Sequence, residues 1–256
     1  MKKNGLIFLT CASLFVMGCA IKPTDPIALQ AYEEANDPLE PFNRAMFETN
    51  MLLDTAILKP VAKGYRAITP VFVRQGVSNF FDNLKQPGYF VNSLLQGEGQ
   101  TAFDISRRFL ANTLLGLGGL FDVASDMNIP VHTNDFGETL AVWGWEKSEP
   151  YIVWPLLGPS NPRDTIGAGF NMALSTAELS VIDEPMVRYG IWALDTVQTR
   201  EKSIEFIESL EKGTTDLYAT VRSMYRQNRE KKINKATGTL ENQGVSAYDF
   251  DFDDEE

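Results

Sequence analysis

Apolar side chains recur at helical spacing along most of the chain. After Asp37, the residues Leu39, Phe42, Met46, Asn50 and Leu53 fall on one face. Asp37 as N-cap, Pro38 at the first helical position and Glu40 at the third form a capping-box pattern, and Pro41 is tolerated in the first turn. Thr69-Pro70 opens a second helix striped by Val73, Val77, Phe80 and Leu84, which Pro87 is expected to end. A short segment, 88–96, then runs to Gly97. The next helix places Phe103, Ser106, Leu110, Leu114 and Leu117 on one face. Ser160-Asn161-Pro162 introduces a Gly- and Ala-rich helix through Leu174. Glu184-Pro185 opens a long one with Val187, Ile191, Leu194, Val197, Ile204 and Ile207 inside, closed by Gly213. The last helix spans 215–233 with Leu217, Val221 and Met224 apolar. Its Arg229, Lys231 and Lys232 suit the negative end of a helix dipole. Only 151–157 reads as extended, so the pattern predicts an all-α fold.

The two ends break this pattern. Lys2 and Lys3 precede an apolar run from Leu6 to Met17, of signal-peptide length and too short for a comfortable membrane span. The run stops at Gly18-Cys19, and the chain turns polar. Val16-Met17-Gly18-Cys19 resembles the lipobox of bacterial lipoproteins, in which the cysteine thiol takes a diacylglyceryl group and the freed amine is acylated. The alternative is an ordinary secretory signal with an incidental cysteine. On the lipobox reading 1–18 is a signal peptide, Cys19 is the lipid attachment site and 19–36 is a lipidated tether. Cys11 then leaves with the signal, so no disulfide or cysteine-based metal site remains. Several acyl chains exceed the two signals that stable anchoring needs. Alanine rather than aspartate after Cys19 permits passage to the outer membrane. At the far end, 234–256 closes in "YDFDFDDEE", an acidic tail read as disordered, with a docking motif around its phenylalanines as the other reading.

One internal stretch is apolar beyond the needs of a helix in water. In "RRFLANTLLGLGGLFDVA" no charge occurs from Phe109 to Phe121, and Leu and Phe fall on most sides. Two readings are open: a buried central helix, or a helix lying in the acyl region of one leaflet with Arg107 and Arg108 near phosphates. Trp143, Trp145, Tyr151 and Trp154 cluster nearby, and such rings favour both membrane interfaces and cores.

Charge and chemistry narrow the function further. A net charge of −11 disfavours nucleic acid as a partner. His132 is the single histidine, with no cysteine left to share a metal with it. There is no G-x-S-x-G elbow, and "GLGG" at 116–119 lacks a Walker lysine. The chain is expected not to be an enzyme and to need no cofactor or metal.

Six ordered stretches resemble the MlaA/VacJ family of outer-membrane lipoproteins. They are "NDPLEPFNRAMF" from Asn36, "VSNFFDNLKQP" from Val77, "RRFLANTLLGLGGLFDVA" from Arg107, "DFGETLAVWG" from Asp135, "PYIVWPLLGPSNPRD" from Pro150 and "TDLYATVRSMY" from Thr215. Together they cover about 36–229. "TDLY" departs from the family's more usual "DPY", and the acidic tail is not a family feature.

The resemblance implies a single ring-shaped helical domain over 37–233 with a short extended hairpin and a central amphipathic channel. It implies a lipoprotein of the Mla pathway, anchored in the inner leaflet of the outer membrane and facing the periplasm. Such a protein takes mislocalised phospholipid from the outer leaflet and passes it to a periplasmic lipid-binding carrier, in contact with an outer-membrane porin trimer. Three groups of site residues are expected. Asp37, Pro38, Leu39, Phe42, Asn43 and Arg44 brace the channel wall. Arg107, Arg108, Phe109, Leu110, Leu114, Leu117 and Leu120 belong to the leaflet-embedded helix. Phe136, Gly137, Gly144, Tyr151 and Trp154 belong to a gating hairpin over 136–156, in which the two glycines allow motion. The rival readings are a porin-associated scaffold without transport and a lipid hydrolase.

Overall fold

The computed structural model describes residues 23–25, 37–147 and 150–239. The signal segment, Cys19, most of the tether and the acidic end of the tail lie outside them. The described residues are mostly helical. Helix α1 (Glu40–Leu53) passes through one π-helical turn (Asp54–Leu58) into α2 (Lys59–Ile68). Then come α3 (Val71–Gln96), α4 (Gly99–Leu114), α5 (Val123–Asp126) and α6 (Phe136–Val142). A two-stranded antiparallel hairpin follows, β1 (Ile152–Trp154) with β2 (Gly158–Ser160), pairing Val153 with Pro159. It leads into α7 (Pro162–Glu178), α8 (Pro185–Lys202), α9 (Ile204–Gly213) and α10 (Leu217–Ala236). Helix α3 packs along α4, α6 along α7 and α10, α8 along α2, and α1 against β1.

The burial pattern is inverted relative to a protein folded in water. Among the described residues nineteen buried side chains are polar or charged and thirteen are apolar, and several of the apolar ones are alanines. On α3 the buried face is Ser78, Phe81, Asn83, Gln86, Asn92 and Ser93, while Val71, Phe72 and Val73 are exposed. The apolar stripe on α4 points outward: Phe103, Leu110 and Leu114 are exposed, and Ala102, Ile105 and Ala111 are buried instead. On α8, Val187 and Leu194 are exposed, whereas Gln198, Arg200 and Glu201 are buried. Periodicity finds the apolar face of a helix but does not say which medium it meets. No described helix is long and apolar enough to cross a membrane.

Several local expectations are corrected. Asp37 does not cap α1 with its side chain: the N-cap is Leu39, without a side-chain bond, and the Asp37 carboxylate is buried with other partners. Pro87 does not end α3. The helix runs through it, Gln86 Nε2 donates to the Asp82 carbonyl in the same turn, and left-handed Gly97 caps the end. The long helix after Pro185 breaks at Ser203 into α8 and α9. Strand β2 was missed because Gly-Pro-Ser carries no alternation of apolar and polar residues.

Candidate functional site

Two adjoining cavities lie along α7, and Asp135 and Asn171 line both. The larger, about 500 Å³, is walled by the hairpin (Trp154, Leu157, Pro159, Ser160), by α7 (Asp164, Thr165, Ala168, Met172) and by Tyr225 and Arg229 of α10. The smaller, about 260 Å³, lies between α3 (Lys85, Gly88, Tyr89, Asn92), the approach to α6 (Asn134) and the end of α7 (Leu174, Ser175, Glu178). The first is predominantly apolar and the second carries mostly polar side chains.

Helix caps set this geometry. Asp135 Oδ1 accepts from the Glu138 amide at 2.9 Å and so starts α6. Asn161 Oδ1 accepts from the Asp164 amide at 2.8 Å and starts α7. The two helix starts are tied together through α10. Arg229 donates to Asp135 Oδ2 at 2.6 Å and to Asp164 Oδ1 at 2.8 Å, and Tyr225 donates to Asp164 Oδ2 at 2.5 Å. Arg229 thus serves as a mostly buried cross-brace and not as a charge at the helix terminus, as the sequence had implied.

The charges in this brace shift one another. Burial alone would raise the Asp135 carboxyl, but hydrogen bonds from Arg229 and its charge outweigh it and hold the group below the ordinary range. Burial, with the Asp135 charge adding to it, pushes Glu138 up to about 7, although Lys232 and Arg229 oppose this. Burial and Asp164 raise the Tyr225 phenol, which therefore stays a donor.

The signature at the chain's start stands behind the cavity wall, and none of its residues lines either cavity. Asn43 is fully buried. Its Nδ2 donates to Asp37 Oδ1 at 2.7 Å and to the Tyr151 carbonyl at 3.0 Å, and its Oδ1 accepts from the Val153 amide at 2.8 Å. One amide therefore fixes α1 to β1. Asp37 also accepts from Arg222 at 2.8 Å and from the Tyr218 hydroxyl. Arg44 bridges Glu40 and Asp216, at 2.8 and 2.7 Å, over the face of the Tyr218 ring. Pro38 and Leu39 form the half-buried turn ahead of α1, and Phe42 is half-buried on it.

The apolar stretch runs from the end of α4 into a loop closed by backbone hydrogen bonds. Leu114, Leu115, Leu117, Leu120 and Phe121 are all exposed there, and Phe109 is half-buried. The loop turns through left-handed Leu117, Gly118 and Gly119, and the Gly119 amide returns to the Asn112 carbonyl at 2.8 Å. Beneath it, Arg108 donates to both oxygens of Asp122 at 2.8 Å, with Asn112 also bonded to Asp122 at 2.9 Å. Burial would raise the Asp122 carboxyl, but Ser125, Asn112 and Arg108 hold it below the ordinary range. Arg108 is therefore an internal clamp, contrary to the expectation that it reaches phosphates. Arg107 is exposed, 3.4 Å from Asp104.

The segment 136–156 is not one hairpin. It holds α6, a left-handed turn at Gly144 with open space around it, and only then β1. Gly137 is no hinge, because a Cβ there would meet Asp164 Oδ1 at 2.7 Å as well as the Arg229 guanidinium. Phe136 stacks on Phe170 at 3.9 Å. Tyr151 is buried against Tyr218, and Trp154 lines the larger cavity with its Nε1 bonded to Thr165 at 2.9 Å. Reading by sequence overlooked Asp135, Asp164, Asn171, Tyr225 and Arg229. The caps in "NDFGE" and "SNPRD" were the visible signal for the first two. Among the described residues no three His, Cys, Asp or Glu are placed to hold a metal ion, and His132 Nε2 lies 3.7 Å from Asp104.

The chain is similar to several known proteins. The family model described as MlaA lipoprotein matches residues 35–232. The intermembrane phospholipid transport system lipoprotein MlaA of Haemophilus influenzae is 33% identical over 240 residues, covering 91% of this chain and 92% of the relative. The protein of the same name from Escherichia coli is 34% identical over 237 residues, covering 89% and 88%. A Rickettsia felis protein of unstated function is 36% identical over 208 residues, covering 78% and 79%. A solved structure, reported as a structural basis for maintenance of bacterial outer membrane lipid asymmetry, superposes with a TM-score of 0.62 at 33% identity. It is covered over 99% of its length and covers 77% of this chain.

Proposed function

Because the chain belongs to the MlaA lipoprotein family, we propose that it is an outer-membrane lipoprotein of phospholipid transport that maintains lipid asymmetry. In this reading it sits in the inner leaflet, anchored through Cys19. It takes phospholipid mislocalised to the outer leaflet through an amphipathic passage and gives it to a periplasmic lipid-binding carrier, in contact with a porin trimer. The observation that carries the reading is the inverted burial: leucines and phenylalanines outside, amides and ion pairs inside, and cavities along α7. Exposed apolar surface of this extent marks a membrane or partner contact. A passage for a lipid with a charged head needs polar groups within an apolar surround and needs no nucleophile.

A scaffold that merely held a porin would have no use for cavities lined with buried polar groups, which favours transport over that alternative. The gate of this passage pivots at Gly144, where φ is positive and the surroundings are open, and disulfides engineered at the base of 143–151 would remove its motion. The direct test measures surface phospholipid in cells lacking the protein, complemented by wild type or by Cys19→Ala. A rise on deletion that only the lipidated form reverses supports removal of lipid from an anchored position. No rise on deletion overturns it and moves the scaffold reading forward.

A further inference from the structure

One long stretch is anchored at both ends and unanchored between them. Upstream, Arg163 and Gly167 of α7 are buried, Gly167 against the backbone of Gly137. Downstream, Gln198, Arg200 and Glu201 of α8 are buried. Arg200 Nε donates to Asp54 at 2.6 Å, and Glu201 lies 2.6 Å from Arg66 and 3.2 Å from Arg74. Among the described residues, none from Ala168 to Val197 is buried. The stretch comprises the end of α7, a 3-10 turn (Leu179–Val181) and α8 up to Val197. Its α7 part supplies Asn171, Leu174, Ser175 and Glu178 to the smaller cavity, and its α8 part exposes Met186, Val187, Tyr189 and Trp192. The stretch meets α3 weakly. Lys85, on the cavity wall, lies 3.2 Å from Asp195, with side chains 39% and 30% exposed. Asn92 Nδ2 reaches Asn171 Oδ1 at 3.4 Å. Between these contacts α3 presents Gly88, where even an added Cβ would stay 3.7 Å from Leu174 and Glu178. The end of α7 thus rests on a glycine surface that no side chain locks.

We propose that residues 168–197 form a flap that swings away from α3 between its two anchors and opens the smaller cavity at its side, with Lys85–Asp195 as the clasp. Elements that move are drawn from segments with few buried contacts, and this one has none. Its two ends, in contrast, are fixed by close backbone packing and by ion pairs that include the buried Arg200 and Glu201. A partly exposed ion pair stabilises little and is weakened by salt, so the clasp releases easily. The exposed apolar residues of α8 need no fixed partner among acyl chains, and they keep the same surroundings when the flap moves there. The assignment rests on the phospholipid-transport reading and gives it a lateral entrance, distinct from the turn at Gly144.

The test measures distances between spin labels in the full acylated protein in phospholipid nanodiscs. One pair joins Leu94→Cys on α3 to Gly190→Cys on the flap, two exposed positions, the second with nothing within 4 Å of an added Cβ. The reference pair joins Leu94→Cys to Thr199→Cys at the anchored end. Lys85→Asp, which sets like charges against Asp195, is expected to raise the ratio of long to short distances in the first pair about two- to fivefold. Adding Asp195→Lys rebuilds the clasp in reverse and is expected to restore the ratio, which a misfolded chain could not do. The reference pair is expected to stay unchanged throughout. An unchanged ratio in Lys85→Asp, no restoration by the reversed pair, or equal lengthening of the reference distance overturns the flap. A second measurement bridges Gly88→Cys to Leu174→Cys with a short, reducible bifunctional thiol reagent. Bridging is expected to stop uptake of phospholipid from vesicles and reduction to restore it, while a monofunctional reagent leaves uptake intact. Full uptake by the bridged protein overturns the lateral entrance. Absence of uptake by wild type strikes the transport reading itself, and the label distances then decide the flap on their own.

Discussion

Gly167 on α7 meets Gly137 on α6 backbone to backbone: a Cβ on Gly167 would stand 2.5 Å from the Gly137 nitrogen and 2.9 Å from its Cα. This approach lets Asp135 and Asp164 share Arg229 across the two helix starts. Gly167→Ala is expected to force the helices apart and to cost about 1–3 kcal/mol, the usual range for overpacking. Gly169→Ala, two residues on with nothing within 4 Å, is expected to gain roughly 0.5–1 kcal/mol from helix propensity. Thermal unfolding of both variants in the same detergent measures the difference, and equal midpoints would remove the close-packing role.

Arg108 and Arg107 are neighbours with opposite duties. Arg108 is buried on Asp122 and also donates to the Ile129 carbonyl, whereas Arg107 meets Asp104 at the surface. Arg108→Met leaves a half-buried carboxylate without its cation, and a loss of about 3–5 kcal/mol is expected. Arg107→Ala is expected to fall within about 0.5 kcal/mol. Denaturant unfolding checks both. Limited proteolysis after Leu117 checks whether the loop loosens in the first variant and not in the second.

Helical periodicity made the architecture legible, because apolar spacing and a start signal such as Ser160-Asn161-Pro162 mark helices whatever surrounds them. The side each helix shows to the interior was not legible. Leu110 and Leu114 form as good a stripe as any core helix, and in this protein they face outward. Asn43 shows a second limit. As a letter it is a polar residue in a first turn, yet its buried amide joins α1 to β1 across more than a hundred positions. Long-range polar contacts leave no periodic trace, so Asp37 looked like a cap and Arg229 like a dipole charge. The short hairpin and Gly137 were misread for a related reason, since glycine is equally the residue for freedom and for close approach.

The acidic group Glu138 makes stability depend on pH in a definite direction. Its folded value of about 7 lies above the ordinary 4.5, so between these limits the folded state binds more protons than the unfolded one. Its contribution is then full below about 4.5 and declines as pH rises to about 7, by at most roughly 3 kcal/mol. The groups facing it are Asp135 at its own helix start and Arg229 and Lys232 of α10. Asp135, held low, acts in the opposite sense and only below about 4. Glu138→Gln is expected to flatten the decline, making the variant equal to or more stable than wild type at pH 8. Melting midpoints from pH 4.5 to 8 decide it, and parallel curves for the two proteins would contradict the buried, raised carboxyl.

The exposed loop gives the sharpest contrast between folding and membrane binding. Leu114 and Phe121 are 73% and 59% exposed, so the fold loses little when they become polar. In a bilayer each side chain contributes about 1.5–3 kcal/mol of burial. Leu114→Asn with Phe121→Asn is therefore expected to leave the unfolding midpoint within the equivalent of about 0.5 kcal/mol. In the Cys19→Ala background, which lacks the acyl anchor on the lipobox reading, the same pair is expected to weaken vesicle binding by roughly tenfold or more. Vesicle flotation across lipid concentrations reads this directly. Unchanged binding would place these residues away from lipid and return the apolar loop to a protein contact, whereas a large loss of stability would mean that the side chains pack internally despite their exposure.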